Sequence, residues 1–461
     1  MTTSQPNNTR TAPLDRGFLS TARFNELYRS ALRQAGNGVP FVLATEQPDG
    51  TVSHYETVIR SDASPETLHY AARLTKFLLW ARGASRVHVI APDGVVAHLR
   101  KVFAADGARG FDYAIMTRVF GQPLEIVRAT RASLPSNRGQ ASACGGHWDG
   151  CRLGFDLGAS DFKVAAVRDG QVVYSAEFPW QPKEQADPDY HFDHLMAGLR
   201  QAASHLPRVD AIGGSTAGVV FDNHIRLASL FRSIPESRFA EASRLFIRVR
   251  DAWKVPLMVL NDGDVSALAG ALSSDAKGIL GLAFGSSLAG GYVDPEGRMR
   301  GWITELAFVP VDENPAAPAD EWSGDRGVGC LYFSQQAVNK LLPAAGIVCP
   351  AEMGQPERLL HVQDLLARGD PRAAPIYETL GVYLGETLPL FAEFYDFRHV
   401  LVLGRVLTGA GGDILIQRAR EVLNAAAPEC AARMDVSAPD EQSRRVGQAV
   451  AAASLPERVP A

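Results

Sequence analysis

The pattern of hydrophobic and polar positions divides the first part of the chain into short helices and strands. An apolar pattern of helical period runs from Phe18 to about Ala35, and two strands follow it, joined by a turn at Asp49–Gly50. Further patterns predict a helix in PETLHYAARLTKFLLWARG, a strand in RVHVIA, a helix in GVVAHLRKVFAA, and strands in DYAIMTRVF and LEIVRA. These elements predict an α/β domain over residues 18–133, after a polar, disordered tail over residues 1–17.

The function of this N-terminal domain stays open at the level of sequence. Docking or oligomerisation is one alternative, and a regulatory or substrate-covering role is the other. A Ser/Gly-rich stretch over residues 134–150 predicts a linker. The rest of the chain is one continuous α/β pattern, so the chemistry is expected there.

A tight turn of small residues opens this second part. The segment CRLGFDLGASDFKVAAV predicts a strand, a turn and a second strand. In the turn, the backbone N–H groups of Gly158, Ala159 and Ser160 can approach a phosphate closely. Asp156 at the strand end would hold Mg²⁺ through water, because hard cations prefer carboxylate oxygens. An ordinary hairpin explains such a turn equally well when it is taken alone.

A second candidate group follows a predicted apolar strand in KVPLMVLNDGDVSALAGAL. Asp262 lies where the strand ends and a helix begins, the edge at which α/β proteins bind ligands. A carboxylate at this point can accept the proton of an attacking hydroxyl group. The alternative is that Asp262 or Asp264 only caps the helix.

Two further turns extend the pattern. GILGLAFGSSLAGGYVD predicts a hairpin whose small-residue turn, Gly285, Ser286 and Ser287, repeats the first phosphate turn. VLVLGRVLTGAGGDIL predicts a strand, a turn at Gly404 and a helix, which would suit an adenosine pocket.

Taken in order, these segments resemble the ROK family of sugar kinases, within the actin/hexokinase/Hsp70 ATPase superfamily, over about residues 151–455. The resemblance implies an α/β fold with a two-lobed actin-like (ribonuclease H-like) core behind the N-terminal domain. The lobes would span residues 151–262 and 263–435, and a helix at 436–455 would pack on the first lobe.

The resemblance also implies roles for individual residues. Asp262 falls on the catalytic base, Asn261 and Glu305 fall on sugar ligands, and Lys163 stands where one variant of the first phosphate motif has arginine. Gly285, Ser286, Ser287 and Gly404 fall on the second phosphate turn and the adenosine side. Asn223, in GVVFDNH, is a further candidate substrate ligand. ATP and Mg²⁺ are the implied cofactors.

Two segments depart from the family pattern. Phe308 replaces the zinc-binding histidine, and the three zinc cysteines are replaced by Glu321, Ser323 and Val328. We therefore predict no structural zinc. The second sugar glutamate of the family falls on Cys330, which argues against plain glucose as the substrate.

Composition narrows the function classes. With 46 basic and 51 acidic side chains and a net charge of −5, the chain has no general basic field for nucleic acid or anionic lipid. No signal peptide or membrane span is apparent, and five scattered cysteines fit a reduced, cytoplasmic protein. The predicted partner is a small sugar-like molecule, with no nucleic acid and no membrane, and a homodimer is a family expectation.

The sequence thus predicts an ATP-dependent kinase acting on a hydroxyl group of a sugar, amino sugar or cyclitol. The alternative is a non-catalytic protein on the same fold, either a sensor of sugar or nucleotide or a scaffold.

Overall fold

The structure is a computed structural model that describes residues 9–139, 142–143, 145–158, 161–274, 276–438 and 441–457. Its helices in chain order are α1 (Thr21–Ala35), α2 (Pro65–Arg82), α3 (Asp93–Val102), α4 (Gly110–Phe120), α5 (Pro188–Ala203), α6 (Glu236–Ser243), α7 (Leu245–Trp253), α8 (Asp262–Ser274), α9 (Gln335–Leu341), α10 (Gln355–Ala367), α11 (Ala374–Ala392), α12 (Ala410–Ala426), α13 (Pro428–Ala431) and α14 (Glu441–Ala453).

The strands in chain order are β1 (Gly38–Glu46), β2 (Val52–Arg60), β3 (Arg86–Ile90), β4 (Glu125–Arg128), β5 (Ser142–Ala143), β6 (Cys151–Leu157), β7 (Asp161–Arg168), β8 (Gln171–Pro179), β9 (Ala211–Thr216), β10 (Val219–Phe221), β11 (His224–Leu227), β12 (Leu257–Asn261), β13 (Ile279–Phe284), β14 (Leu288–Val293), β15 (Arg298–Met299), β16 (His399–Leu403) and β17 (Asp435–Ser437). The result is a mixed α/β protein, as predicted.

The chain divides into two compact units. Unit 1 contains residues 1–140, 282–290 and 301–438, and unit 2 contains residues 141–281, 291–300 and 439–461. Unit 1 therefore joins the predicted N-terminal domain to most of the predicted second lobe, whereas the sequence had suggested a separate accessory domain.

Unit 1 contains a sheet of order β2-β1-β3-β4, formed by the N-terminal segment. A second sheet has the order β14-β13-β16-β17, and its hairpin β13–β14 contains two of the five points at which the chain passes from one unit to the other. Residues 9–17, predicted as part of a disordered tail, are instead held against unit 1. Arg10 pairs with Glu386, and the Asp15 carboxylate lies 3.3 Å from the Lys340 ammonium nitrogen.

The segment DYAIMTRVF was predicted as a strand, and that prediction is wrong. It forms α4, which ends at Gly121 in the left-handed conformation favoured by glycine. The buried side chains of α4 follow helical spacing, at Asp112, Ile115, Met116 and Val119. LEIVRA contains β4, as predicted.

Unit 2 is built on a five-stranded sheet of order β12-β9-β6-β7-β8. β6, β9 and β12 are parallel, while β7 and β8 continue from β6 as antiparallel neighbours. One face of this sheet contributes Leu153, Phe155 and Ile212 to a large apolar core.

The other face of the sheet is covered by α14. A methyl group at Gly154 would lie 1.8 Å from the Ala449 carbonyl oxygen, and one at Gly213 would lie 1.6 Å from that of Ala452. Glycine is required at both positions because the helix backbone rests directly on the strands.

Candidate active site

The three parallel strands of unit 2 end side by side. Asp156 of β6 pairs in register with Ser215 of β9, and Thr216 of β9 pairs with Asn261 of β12. Asp262 follows at once as the first residue of α8. The carboxyl ends of parallel strands share one edge of a sheet, so Asp156 and Asp262 are brought to the same edge.

Asp156 is the inner carboxylate of this edge. It is 6 % exposed, and its Oδ1 accepts a hydrogen bond of 2.7 Å from the fully buried Ser215 hydroxyl. Burial raises the pKa of Asp156, although the Ser215 hydrogen bond and the positive charge of Lys163 oppose that shift. Ser215 was not singled out by the sequence, although the polar pair Ser215–Thr216 at the end of an apolar strand is a usable signal.

Asp262 is the outer carboxylate, and it keeps part of its surface exposed. Burial raises the pKa of Asp262 to about 7, and the negative charge of Asp156 adds to the shift. Its Oδ1 also accepts the backbone N–H of Gly263 at 3.0 Å. A carboxylate with a pKa near 7 is matched to general-base work at neutral pH.

Asp264 lies in the first turn of the same helix. Burial raises its pKa to about 7 as well, and the charge of Asp262 contributes, while a backbone N–H of Tyr292 opposes the shift. The helix start is closely packed, since a methyl group at Gly291 would lie 2.0 Å from the Gly263 carbonyl oxygen. Three acidic side chains therefore share this region, and repulsion links Asp156 to Asp262 and Asp262 to Asp264.

The first predicted phosphate turn joins β6 to β7. The N–H of Gly158 donates to the Asp161 carbonyl at 3.0 Å, and a methyl group at Gly158 would lie 2.8 Å from that oxygen. The Lys163 ammonium nitrogen lies 3.5 Å from the Asp161 carboxylate. Ala159 and Ser160 lie outside the described residues.

Two predicted sugar ligands are engaged within unit 2. The Asn261 side chain donates to the Gly218 carbonyl at 2.8 Å and accepts the Gly263 N–H at 2.7 Å, which ties the start of α8 to a neighbouring turn. The Asn223 side chain bonds the backbone of Leu257 and Val259 on β12, at 3.0 and 2.8 Å. Each side-chain amide thus already donates one hydrogen bond and accepts one, and only its remaining hydrogen-bonding capacity is available to a sugar.

The second predicted phosphate turn lies in unit 1. The N–H of Gly285 donates to the Ser287 carbonyl at 3.0 Å, and the start of α9 is tied to the turn. The Gln335 N–H donates to the Gly285 carbonyl at 2.9 Å, and the Gln336 side chain donates to the Ser286 carbonyl at 3.2 Å. Sequence reasoning missed these two glutamines, which adjoin no recognisable motif.

Gly404 also lies in unit 1, directly after β16. It has a φ of 104°, and a methyl group there would lie 2.3 Å from the Phe284 carbonyl oxygen at the end of β13. The turn therefore needs glycine both for its conformation and for the close approach.

Glu305 is partly exposed in unit 1, beside the segment predicted to lack zinc. Its negative charge, after burial and the Asp320 carboxylate, raises the pKa of the Cys330 thiol. The Cys330 Sγ donates to Asp320 at 3.4 Å, and Asp320 also accepts both the N–H and the hydroxyl of Ser323 at 2.7 Å. The Phe308 ring packs on the Trp80 ring in a tilted arrangement, with the ring centroids 4.4 Å apart. Polar side chains and aromatic packing order this segment.

The strand-end carboxylates suit a hydrated magnesium ion better than an all-protein metal cage. In the part of the chain that the structure describes, no group of three His, Cys, Asp or Glu side chains converges to hold a metal. Mg²⁺ usually keeps several waters and takes only one or two carboxylates, so Asp156 fits it. Burial raises the pKa of Asp156, and a bound dication would oppose that shift by favouring the ionised form.

Comparison with known proteins gives the fold. No protein-family model and no curated protein matches the sequence. Among solved structures, the chain is similar to a ROK hexokinase from Thermus thermophilus (19 % identity, 66 % of this chain and 96 % of that one, TM-score 0.51). It is also similar to a ROK family glucokinase from Streptomyces griseus in complex with glucose and AMPPNP (18 %, 66 % and 98 %, 0.50).

The third comparison extends over more of the chain. A ROK family transcriptional regulator, a homologue of the E. coli MLC protein, has 18 % identity, a TM-score of 0.55, and coverage of 84 % of this chain and 95 % of that one. The chain therefore has the α/β fold shared by ROK kinases and ROK regulators.

Among the described residues, no helix is long and apolar enough to cross a lipid bilayer.

Proposed function

We propose that this protein is an ATP-dependent kinase that phosphorylates a hydroxyl group of a sugar, amino sugar or cyclitol. The observation that carries the proposal is Asp262, a partly exposed carboxylate at the ends of parallel strands with a pKa raised to about 7. A residue that served only to cap α8 would need no such environment. The ROK fold, which includes kinases, supports the same assignment.

Asp262 acts as the general base in this proposal. It accepts the proton of the attacking hydroxyl group as the new oxygen–phosphorus bond forms, while the bond between the γ-phosphorus and the bridging oxygen breaks and ADP leaves. Asp156, fixed by the Ser215 hydroxyl, would hold Mg²⁺ through water. MgATP, when bound, supplies the phosphoryl group and the charge that favours ionised carboxylates.

The remaining predicted residues bind and orient. The turn of Gly158, Ala159 and Ser160 and the turn of Gly285, Ser286 and Ser287 bind phosphate oxygens through backbone N–H groups other than those of Gly158 and Gly285, which already donate within the turns. Lys163 adds positive charge. Glu305, Asn261 and Asn223 contact substrate hydroxyl groups, and Gly404 leaves room for adenosine. We also propose a cytoplasmic location.

A non-catalytic sensor of sugar or nucleotide is the second candidate. One observation favours it: the regulator of known structure matches 84 % of this chain, against 66 % for the kinases. Against it stands the environment of Asp262, since a protein that only binds has no use for a base.

The test is ADP release from MgATP with hexoses, amino sugars, inositols and C7 cyclitols. Asp262→Asn should lower kcat by roughly 10²–10⁴-fold. Asp251→Asn is the matched control, because Asp251 is an exposed acid of unit 2 that pairs with Arg250. Tight ATP binding without stimulation by any acceptor would reject the kinase and favour the sensor.

A further inference from the structure

Thr304, directly before Glu305, has an unusual backbone conformation. Its φ is +43°, although it is β-branched and only 3 % exposed. A β-branched residue at positive φ is strained, and such strain persists only where surrounding contacts impose it. Strained residues also cluster at functional sites, so the contacts of Thr304 are informative.

The contacts come from the last turn of α2. The Thr304 N–H donates to the Ala81 carbonyl at 3.2 Å, and the Glu305 N–H donates to the Trp80 carbonyl at 2.9 Å. The last carbonyls of a helix have no partner within the helix, so they are available to bind another segment. Two consecutive N–H groups thus fix the backbone of Thr304–Glu305 on the end of α2.

The end of α2 is also fixed to the preceding residues of this segment. The Gln47 side chain, next to the β1–β2 turn, donates to the Arg82 carbonyl at 2.8 Å and to the Gly301 carbonyl at 3.2 Å. The Arg82 guanidinium lies 5.0 Å from the centre of the Trp302 ring. The N-terminal part of the chain therefore contacts residues 301–305 at several points.

One stripe of α2 fastens the helix to residues further along the chain. Arg73 donates to the Glu313 carboxylate at 3.0 Å and to the Asp312 carbonyl at 2.6 Å. One helical turn later, the fully buried Lys76 ammonium lies 2.6 Å from both Asp112 and Asp325.

Trp80 completes this stripe at the next turn. Its indole N–H donates to Asp112 at 2.7 Å, while its ring packs on Phe308. Residues 73, 76 and 80 have the spacing of one helix face. The helix is therefore rigidly held at the point where its carbonyls bind Thr304 and Glu305.

We propose that α2 is the positioning element of the substrate site, and that Thr304 is the residue through which it sets the Glu305 carboxylate. This inference rests on the proposed function, in which Glu305 contacts a substrate hydroxyl group. It gives the N-terminal part of the chain a role in substrate binding rather than in oligomerisation.

Thr304→Gly tests the proposal, because glycine adopts positive φ without strain but does not hold one conformation. We expect the melting temperature to change little, because the relief of strain is offset by the loss of a buried side chain and by the added freedom of the unfolded chain. The KM for the accepted sugar should rise by roughly 10-fold. The KM for ATP and kcat should stay within about twofold, because the strand-end carboxylates are unaltered. The Glu305 amide should also exchange its hydrogen faster, which is measurable without turnover.

Two variants complete the design. Lys254→Gly is the matched control, because Lys254 also has a positive φ, of 55°, at the end of α7 in unit 2. It should relieve strain and leave the sugar KM unchanged. Thr304→Asn should restore the wild-type KM, since asparagine tolerates positive φ better than other residues with side chains.

The outcomes separate the inference from the proposed function. Sugar-dependent turnover with an unchanged sugar KM in Thr304→Gly would overturn the inference alone, and so would an equal rise in Lys254→Gly. A wild-type protein that turns over none of the panel acceptors would remove the proposed function and the inference together. Rapid exchange of the Glu305 amide in the wild type would show that α2 does not hold the segment.

Discussion

Two acidic side chains, Asp262 in unit 2 and Glu313 in unit 1, have pKa values that are shifted in opposite directions. In unit 2, burial and the neighbouring Asp156 raise the pKa of Asp262 to about 7. In unit 1, burial alone would raise the pKa of Glu313, but the charges of Arg73 and His69 outweigh it and lower the pKa to about 2. Glu313 also accepts the Thr21 hydroxyl at 2.7 Å.

The pKa values of Asp262 and Glu313 differ because their charged neighbours differ. A buried acid beside another acid binds a proton readily, which suits proton transfer, whereas a buried acid among cations stays ionised and suits structural cohesion. The cluster around Glu313 joins α1 and α2 to the segment after Glu305, which is why the N-terminal residues belong to unit 1. The same type of side chain thus indicates chemistry in one unit and architecture in the other.

Among the variants that test this comparison, Glu313→Gln should have the largest effect, a loss of stability. Removing one partner of a buried ion pair leaves the other charge uncompensated, so the free energy of unfolding should fall by about 3–5 kcal/mol. Denaturant unfolding followed by circular dichroism measures it. Glu26→Gln is the control, because Glu26 pairs with Arg33 on the exposed face of α1 and should contribute no more than about 1 kcal/mol.

The effect of Glu313→Gln should also depend on pH in a fixed direction. The folded-state pKa of Glu313 lies below its unfolded value, so its contribution is present above about pH 5 and is lost as pH falls towards about 2. An unchanged difference between variant and wild type at pH 3 would contradict a structural role through charge.

The pH dependence of catalysis should be the second largest effect. If Asp262 must be ionised, kcat/KM for the accepted sugar should fall about tenfold for each pH unit below about 7. Steady-state assays between pH 5 and 9 measure this decrease in kcat/KM. The control variant Asp251→Asn should show the same pH dependence as the wild type. An acid limb near pH 4 would mean that Asp262 behaves as an ordinary exposed acid.

The smallest effect should be a gain in stability on removing the charge of Asp262. Its folded-state pKa lies above the unfolded value, so folding favours the protonated form, and the ionised form opposes folding above about pH 7. Asp262→Asn should therefore raise the melting temperature by about 1–3 °C at pH 8 and by nothing at pH 4. A loss of stability at pH 8 would point instead to a capping role.

Part of the fold and part of the candidate site could be predicted from the sequence, because these parts depend on the local pattern of residues. Asp156 and Asp262 were identified because each ends an apolar strand, and the β1–β2 turn was placed by Asp49–Gly50. DYAIMTRVF was predicted as a strand, although its apolar residues also fit the period of the helix that it forms. The catalytic roles of Asp156 and Asp262 remain predictions.

The contacts that define unit 1 were beyond local pattern. Arg73 and Glu313 are 240 positions apart, and nothing near either residue reveals the other. The same holds for Lys76, which the sequence presents as one more charge in a helix. Ion pairs between residues so far apart in the sequence are fixed by tertiary packing. The sequence signal for these pairs was the presence of charged residues in the otherwise apolar helix α2.

The glycine face of the unit 2 sheet has a consequence for protein synthesis. Gly154 and Gly213 receive their cover from Ala449 and Ala452, so this face stays bare until about 240 residues after Gly213 have been translated. Domains that fold during synthesis expose such surfaces to aggregation until their last element emerges. A chain that ended before α14 would leave this side of the unit 2 sheet uncovered.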